Sequence, residues 1–116
     1  MNSRRPRGLL EGIASKEIEM SVFETVGEEI GANVSVIAVD LAPGEGPAVH
    51  RHTYPEVFVV VDGQATFTIG GEERVVCGGE VAVAPAGVAH RFVNSGSGRL
   101  RQVNIHESPR FDTEWL

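Results

Sequence analysis

Cysteine is almost missing from these 116 residues: Cys77 stands alone, so no intrachain disulfide can form and nothing points to an oxidising compartment. Following two valines and preceding a Gly-Gly turn in "ERVVCGGE", it reads as a small buried hydrophobe. Long apolar runs are also missing. No stretch approaches the roughly 20 residues of a membrane-spanning helix, and "MNSRRPRGLLEGIASKE" has no continuous apolar segment of the secretory type. Positive charge is scarce: the formal net charge is −6, and three of the ten basic residues lie in the N-terminal "RRPR" (Arg4, Arg5, Arg7). Without that arm the body is still more acidic, which argues against nucleic acid or an anionic membrane as the main partner. A soluble, cytoplasmic protein is expected. Hydrophobic residues nonetheless make up 41% of the chain, enough for one compact core and too few residues for two. The reading is a basic N-terminal tail over 1–12 and one folded domain over 13–116.

Helical periodicity is absent too, and short β-rich runs broken by Gly, Pro and Asn fill its place. "NVSVIAVDL" (33–41) alternates. "EVFVVVDG" (56–63) ends in Asp-Gly, a strong hairpin signal, and "QATFTIG" (64–70) follows at once. "EERVVCGG", "EVAVAPAG" (80–87), "HRFVNSGSG" (90–98) and "RLRQVNIH" (99–106) complete the set. Many short strands about ten residues apart predict an antiparallel all-β sandwich or barrel. In 56–61 both faces are apolar apart from Glu56, so the strand needs cover from the N-terminal strands or a second chain. The terminal "SPRFDTEWL" holds Phe111 and the only tryptophan, Trp115, and is expected to dock on the body or on a second subunit.

Of only four histidines, two stand one residue apart in "PGEGPAVHRHTYPEVFVVVDG" (43–63). On an extended strand His50 and His52 project to one side, about 6–7 Å apart. Glu56 keeps the same parity. Two imidazoles and a carboxylate converging on one point suit a transition metal, and burying them without a cation is costly. The plain alternative is an exposed "HRH" loop with Arg51 and Glu56 pairing in solvent.

A second stretch, "GEVAVAPAGVAHRFVN" (79–94), adds His90 on a strand with Phe92 and Asn94. Together the two stretches closely resemble the cupin family. Its first motif, G-x5-H-x-H-x3-E-x6-G, is met by Gly44, His50, His52, Glu56 and Gly63. Its second, G-x5-P-x-G-x2-H-x3-N, is met by Gly79, Pro85, Gly87, His90 and Asn94. The resemblance implies a small antiparallel double-stranded β-helix, a jelly-roll-like barrel. It also implies one divalent transition metal ion (Fe, Mn, Ni, Co, Cu or Zn) held by His50, His52, Glu56 and His90, with two positions open. Asn94 is then a turn or outer hydrogen-bonding residue.

Three further side chains are candidates near such a site. His106 follows Gln102 and Asn104 at period two; either this polar face lines the pocket and His106 acts as acid or base, or it lies on the surface, the reading favoured here. Tyr54 either orients substrate or packs at the rim. Arg51 should point outward into a salt bridge. Phe58, Val60 and Phe92 share the ligands' parity and either wall a pocket or fill the core. The function expected is a metal-dependent enzyme acting on a small organic molecule by oxygen activation, isomerisation or decarboxylation, built as a homodimer. The alternative is a non-catalytic module that binds or senses a small molecule or the metal.

Overall fold

The computed structural model describes residues 21–116; the basic tail at 1–12 and the start of the domain at 13–20 lie outside the described residues. The elements are β1 (Ser21–Thr25), a single helical turn α1 (Gly27–Ile30), β2 (Ser35–Leu41), β3 (His50–His52), β4 (Glu56–Asp62), β5 (Gln64–Ile69), β6 (Glu72–Cys77), β7 (Val81–Ala84), β8 (His90–Asn94), β9 (Leu100–His106) and β10 (Thr113–Trp115). They form two five-stranded antiparallel sheets, ordered β1-β2-β9-β4-β7 and β10-β3-β8-β5-β6. This is the jelly-roll barrel, and the strand pattern of the sequence supplies nearly all of it.

Period-two alternation decides what the barrel encloses. In β2 the buried residues are Ser35, Ile37, Val39 and Leu41; in β4 they are Glu56, Phe58 and Val60. Ile37, Val39, Leu41, Phe58, Val60, Ala65, Phe67, Val76, Ala82, Ala84, Phe92 and Leu100 make one continuous core between the sheets. The rings of Phe58, Phe67 and Phe92 pack at centroid distances of 4.9–5.8 Å. This settles their place: Phe58, Val60 and Phe92 fill the core. Val76 is buried, and alternation therefore turns Cys77 outward, so the thiol is exposed rather than buried.

Turns hold the register. Gly63 joins β4 to β5 with φ 97°, and a Cβ there would meet the Arg99 carbonyl oxygen at 2.4 Å. The Asp-Gly pair thus supplies both the left-handed conformation and the close approach of β9. The C-terminal segment lies on the barrel: β10 pairs with β3, with Trp115 opposite His50 and Thr113 opposite His52. Among the described residues no helix is long and apolar enough to cross a membrane.

Candidate metal centre

Strand register builds the site from both sheets. His50 and His90 are directly opposed on β3 and β8, and Glu56 and His106 are opposed on β4 and β9. Opposed residues bring their Cβ atoms to about 5 Å. His52, two residues after His50, keeps its inward parity. The histidine trio from one sheet thus meets the Glu56–His106 pair from the other inside the barrel. One donor atom from each of His50, His52, Glu56 and His90 lies within 4.8 Å of the rest.

Every one of these side chains is buried: His50, Glu56 and His106 are fully enclosed, His90 and His52 nearly so. That removes the exposed "HRH" loop. Arg51 instead points outward, where its Nε donates to Glu114 at 2.9 Å.

Hydrogen bonds fix the ring tautomers. Nδ1 of His50 lies 2.7 Å from the Ala48 carbonyl, Nδ1 of His90 3.0 Å from that of Val88, and Nδ1 of His52 3.0 Å from that of Asp112. A carbonyl only accepts, so each Nδ1 carries the hydrogen, and Nε2 keeps its lone pair toward the centre. Nε2 of His50 is buried and has no hydrogen-bond partner among the described residues. Oε1 of Glu56 lies 2.8 Å from Nε2 of His52 and 3.3 Å from Nε2 of His90. Inward lone pairs around a buried carboxylate form a donor set suited to a divalent transition metal, with metal–nitrogen bonds of about 2.1 Å.

Electrostatics agree with this reading. Burial pushes the His50 imidazole down to about 4, against a smaller upward pull from its bond to Ala48. For Glu56 burial works to raise the carboxyl, but attraction to His106 and the close approach of the His106, His52 and His90 rings outweigh it and hold the group well below the usual carboxylate range.

Two residues stand elsewhere than favoured. His106 is buried rather than on the surface: its Nε2 is 3.1 Å from Oε2 of Glu56, and Phe111 packs edge-on against its ring at 4.9 Å. The polar face Gln102–Asn104–His106 points into the barrel, while Val103 and Ile105 face outward. Alternation groups these residues correctly but cannot say which group faces in; the opposed register with Glu56 is the fact that decides. Tyr54 is likewise no rim residue. It is buried, stacks on His52 at 5.0 Å, and its hydroxyl lies 2.8 Å from Nδ1 of His106. Asn94 serves the turn after β8, donating to the carbonyls of Leu41 and Gly98 and accepting from the Gly96 amide.

A surface cavity borders the site on one side. A cavity of about 130 Å³ lined by Arg51, His52, Thr53, Gly87, Asp112 and Glu114 adjoins the centre at His52. The phenylalanine core meets the centre at Phe58, whose ring lies 5.6 Å from that of His90.

The sequence model of a family described as the cupin domain matches residues 37–106. A protein of Streptomyces coelicolor, described as uncharacterized, is 42% identical over 60 residues, which is 52% of this chain and 57% of that protein. Among solved structures, an oxalate oxidase in complex with the substrate analogue glycolate superposes with a TM-score of 0.67 at 29% identity, over 72% of this chain and 46% of the other. An oxalate decarboxylase of Bacillus subtilis, studied for its Mn(II) centres, shares the fold with a TM-score of 0.73 at 20% identity, over 81% of this chain and 27% of the other. The chain therefore spans only part of the length of these relatives.

Proposed function

We propose, from the premise that this chain belongs to the cupin family, that it is a metal-dependent enzyme acting on a small organic molecule. His50, His52, Glu56 and His90 would hold one divalent transition metal ion. The observation that carries this is the buried cluster itself, in which Nε2 of His50 has no hydrogen-bond partner among the described residues and three imidazoles are fixed with their lone pairs inward. When bound, the ion supplies a Lewis acid, and for some metals a redox centre, for the oxygen atoms of a substrate or for dioxygen.

The chain's own residues do the rest. Glu56 stays ionised in a buried setting because His106, His52 and His90 surround it. Phe58, Phe67 and Phe92 keep water from the floor of the site. The cavity beside His52, about 130 Å³, is well under the several hundred Å³ common for drug-sized ligands, which favours a substrate of few atoms. Oxygen activation, isomerisation and decarboxylation all fit such a centre. The 29%-identical oxalate oxidase, seen with glycolate, makes small carboxylic acids the first class to assay.

The test is elemental analysis of untagged protein, followed by turnover assays on oxalate and glycolate with dioxygen uptake and carbon dioxide release as readouts. Near one transition metal per chain with turnover supports the reading; wild type carrying no more metal than His52→Ala overturns it. A second reading, a non-catalytic binding or sensing module, is favoured by the rings of Tyr54 and Trp115 that cover His52 and His50. Thermal stabilisation by a small molecule without turnover would select it. A second copy of the chain is part of the proposal, seated on the apolar outer face of the first sheet.

A further inference from the structure

His106 stands beside the four-residue cluster with its Nε2 toward Glu56, and its contacts show how it is used. The Asp112 amide donates to the Tyr54 hydroxyl oxygen at 3.1 Å. A backbone N–H can only donate, so the tyrosine oxygen accepts here and its own hydrogen is available to Nδ1 of His106, 2.8 Å away. On the other side of the ring, Nε2 faces Oε2 of Glu56 at 3.1 Å. Nδ1 accepts the tyrosine hydrogen, so the neutral ring carries its one hydrogen on Nε2. The three histidines of the cluster are the reverse: each places its hydrogen on Nδ1, toward a backbone carbonyl. Glu56 is divided accordingly, with Oε1 toward His52 and His90 and Oε2 toward His106.

We infer that His106, oriented by Tyr54, is a positioning residue and not a metal ligand: it holds Oε2 of Glu56 and leaves Oε1 as the single donor that this carboxylate offers a bound cation. The inference rests on the metal reading above. Both residues reach the centre from outside its motif positions, Tyr54 from the β3–β4 connection and His106 from the end of β9. Outer partners of this kind set the direction of a ligand's lone pair, and their loss weakens metal binding without abolishing it.

The experiment uses the full chain and Co(II), whose visible bands report its ligand geometry. His52→Ala, His106→Leu, His106→Gln and Tyr54→Phe are titrated beside wild type. His106→Leu is expected to keep one Co(II) per chain, bind it about 10- to 100-fold more weakly and shift the visible bands, because Glu56 is free to turn. His106→Gln, whose amide N–H can meet the same carboxylate oxygen, should recover most of the affinity and the wild-type bands. Tyr54→Phe should shift the bands in the direction of His106→Leu by a smaller amount.

If folded His106→Leu bound no Co(II), as expected of His52→Ala, His106 would be a ligand and the inference would fall. Wild-type affinity and bands in His106→Leu would also overturn it. Should His106→Leu not fold, His106→Gln and Tyr54→Phe decide: loss of stoichiometric Co(II) in either overturns the assignment, and the pattern above supports it. Equal Co(II) binding by wild type and His52→Ala would instead remove the metal reading itself, a result separate from the others.

Discussion

A buried imidazole destabilises its own charged form, and His50 shows the consequence most directly. Its ring titrates near 4 in the folded chain, against 6.5 for the ordinary group, because burial removes the hydration of the imidazolium. Between those values the unfolded chain holds the proton and the folded chain does not. Stability therefore rises with pH across that window, is complete above about 6.5 and is lost as pH falls toward 4. Glu56 acts in the same direction at lower pH: its depressed carboxyl contributes stability above the unfolded value, and this is lost as acid titrates the folded group. Denaturant unfolding of the metal-free chain should show that loss, and His50→Leu should flatten the part of the curve between pH 4 and 6.5. An unchanged slope in His50→Leu would mean that His50 is not the group responsible. Metal binding should fade over the same range, since a protonated imidazole has no lone pair to give. His52→Ala tests the cluster from the ligand side. It is expected to lose most of the metal that wild type carries through purification, read by elemental analysis, whereas His106→Ala, with all four ligands in place, should still bind one ion per chain when metal is resupplied.

Strands show how far a sequence alone carries this fold. β2, β4, β5, β6, β7, β8 and β9 could all be read from alternation and from turn residues, because a half-buried strand must alternate and a tight turn must use Gly, Asn or Asp. What alternation cannot supply is the sign of each face. Alternation groups Gln102, Asn104 and His106 on one face, but the surface reading of that face fails, since an outward apolar row of Val103 and Ile105 looks like a core row until the sheet neighbours are known. Cys77 failed for a related reason: two valines precede it, and only Val76 faces in. The shared parity of His50, His52 and Glu56 is legible from spacing; that it faces inward, and the outer contacts, are not. The carbonyl that orients His52 belongs to Asp112, sixty residues away in sequence. Phe92, left open between core and pocket, is now placed by its contacts with Phe58 and Phe67. Phe92→Ala should therefore cost on the order of 3–5 kcal/mol, the range for a large ring deleted from a packed core. Chemical denaturation with metal held saturating measures it. A loss near 1 kcal/mol would show that β8 lines a space which water or ligand fills.

At the scale of the molecule, the outer face of the first sheet is the least satisfied surface. β-register makes its apolar residues continuous: Val57 lies opposite Val83 and Ile105, Val59 opposite Val81 and Val103, and Val36 and Ala38 continue the row across β9. Val61, Val81 and Val83 are exposed, and Val57 and Val59 are half-buried. Charged residues usually interrupt such a face in a monomer, and unbroken valine rows of this kind mark a surface that another layer covers. A two-fold dimer would bury the same rows against themselves, because an isologous contact needs only a self-complementary patch. Its partner in the second copy is apolar by construction, so no charge is left unpaired. Light scattering at tens of micromolar should thus return twice the 12.4 kDa of one chain. Val59→Lys, placed at the centre of the patch and on the face opposite the ligands, should shift the protein to monomer while its metal content stays that of wild type. A wild-type mass of one chain at that concentration would count decisively against the dimer.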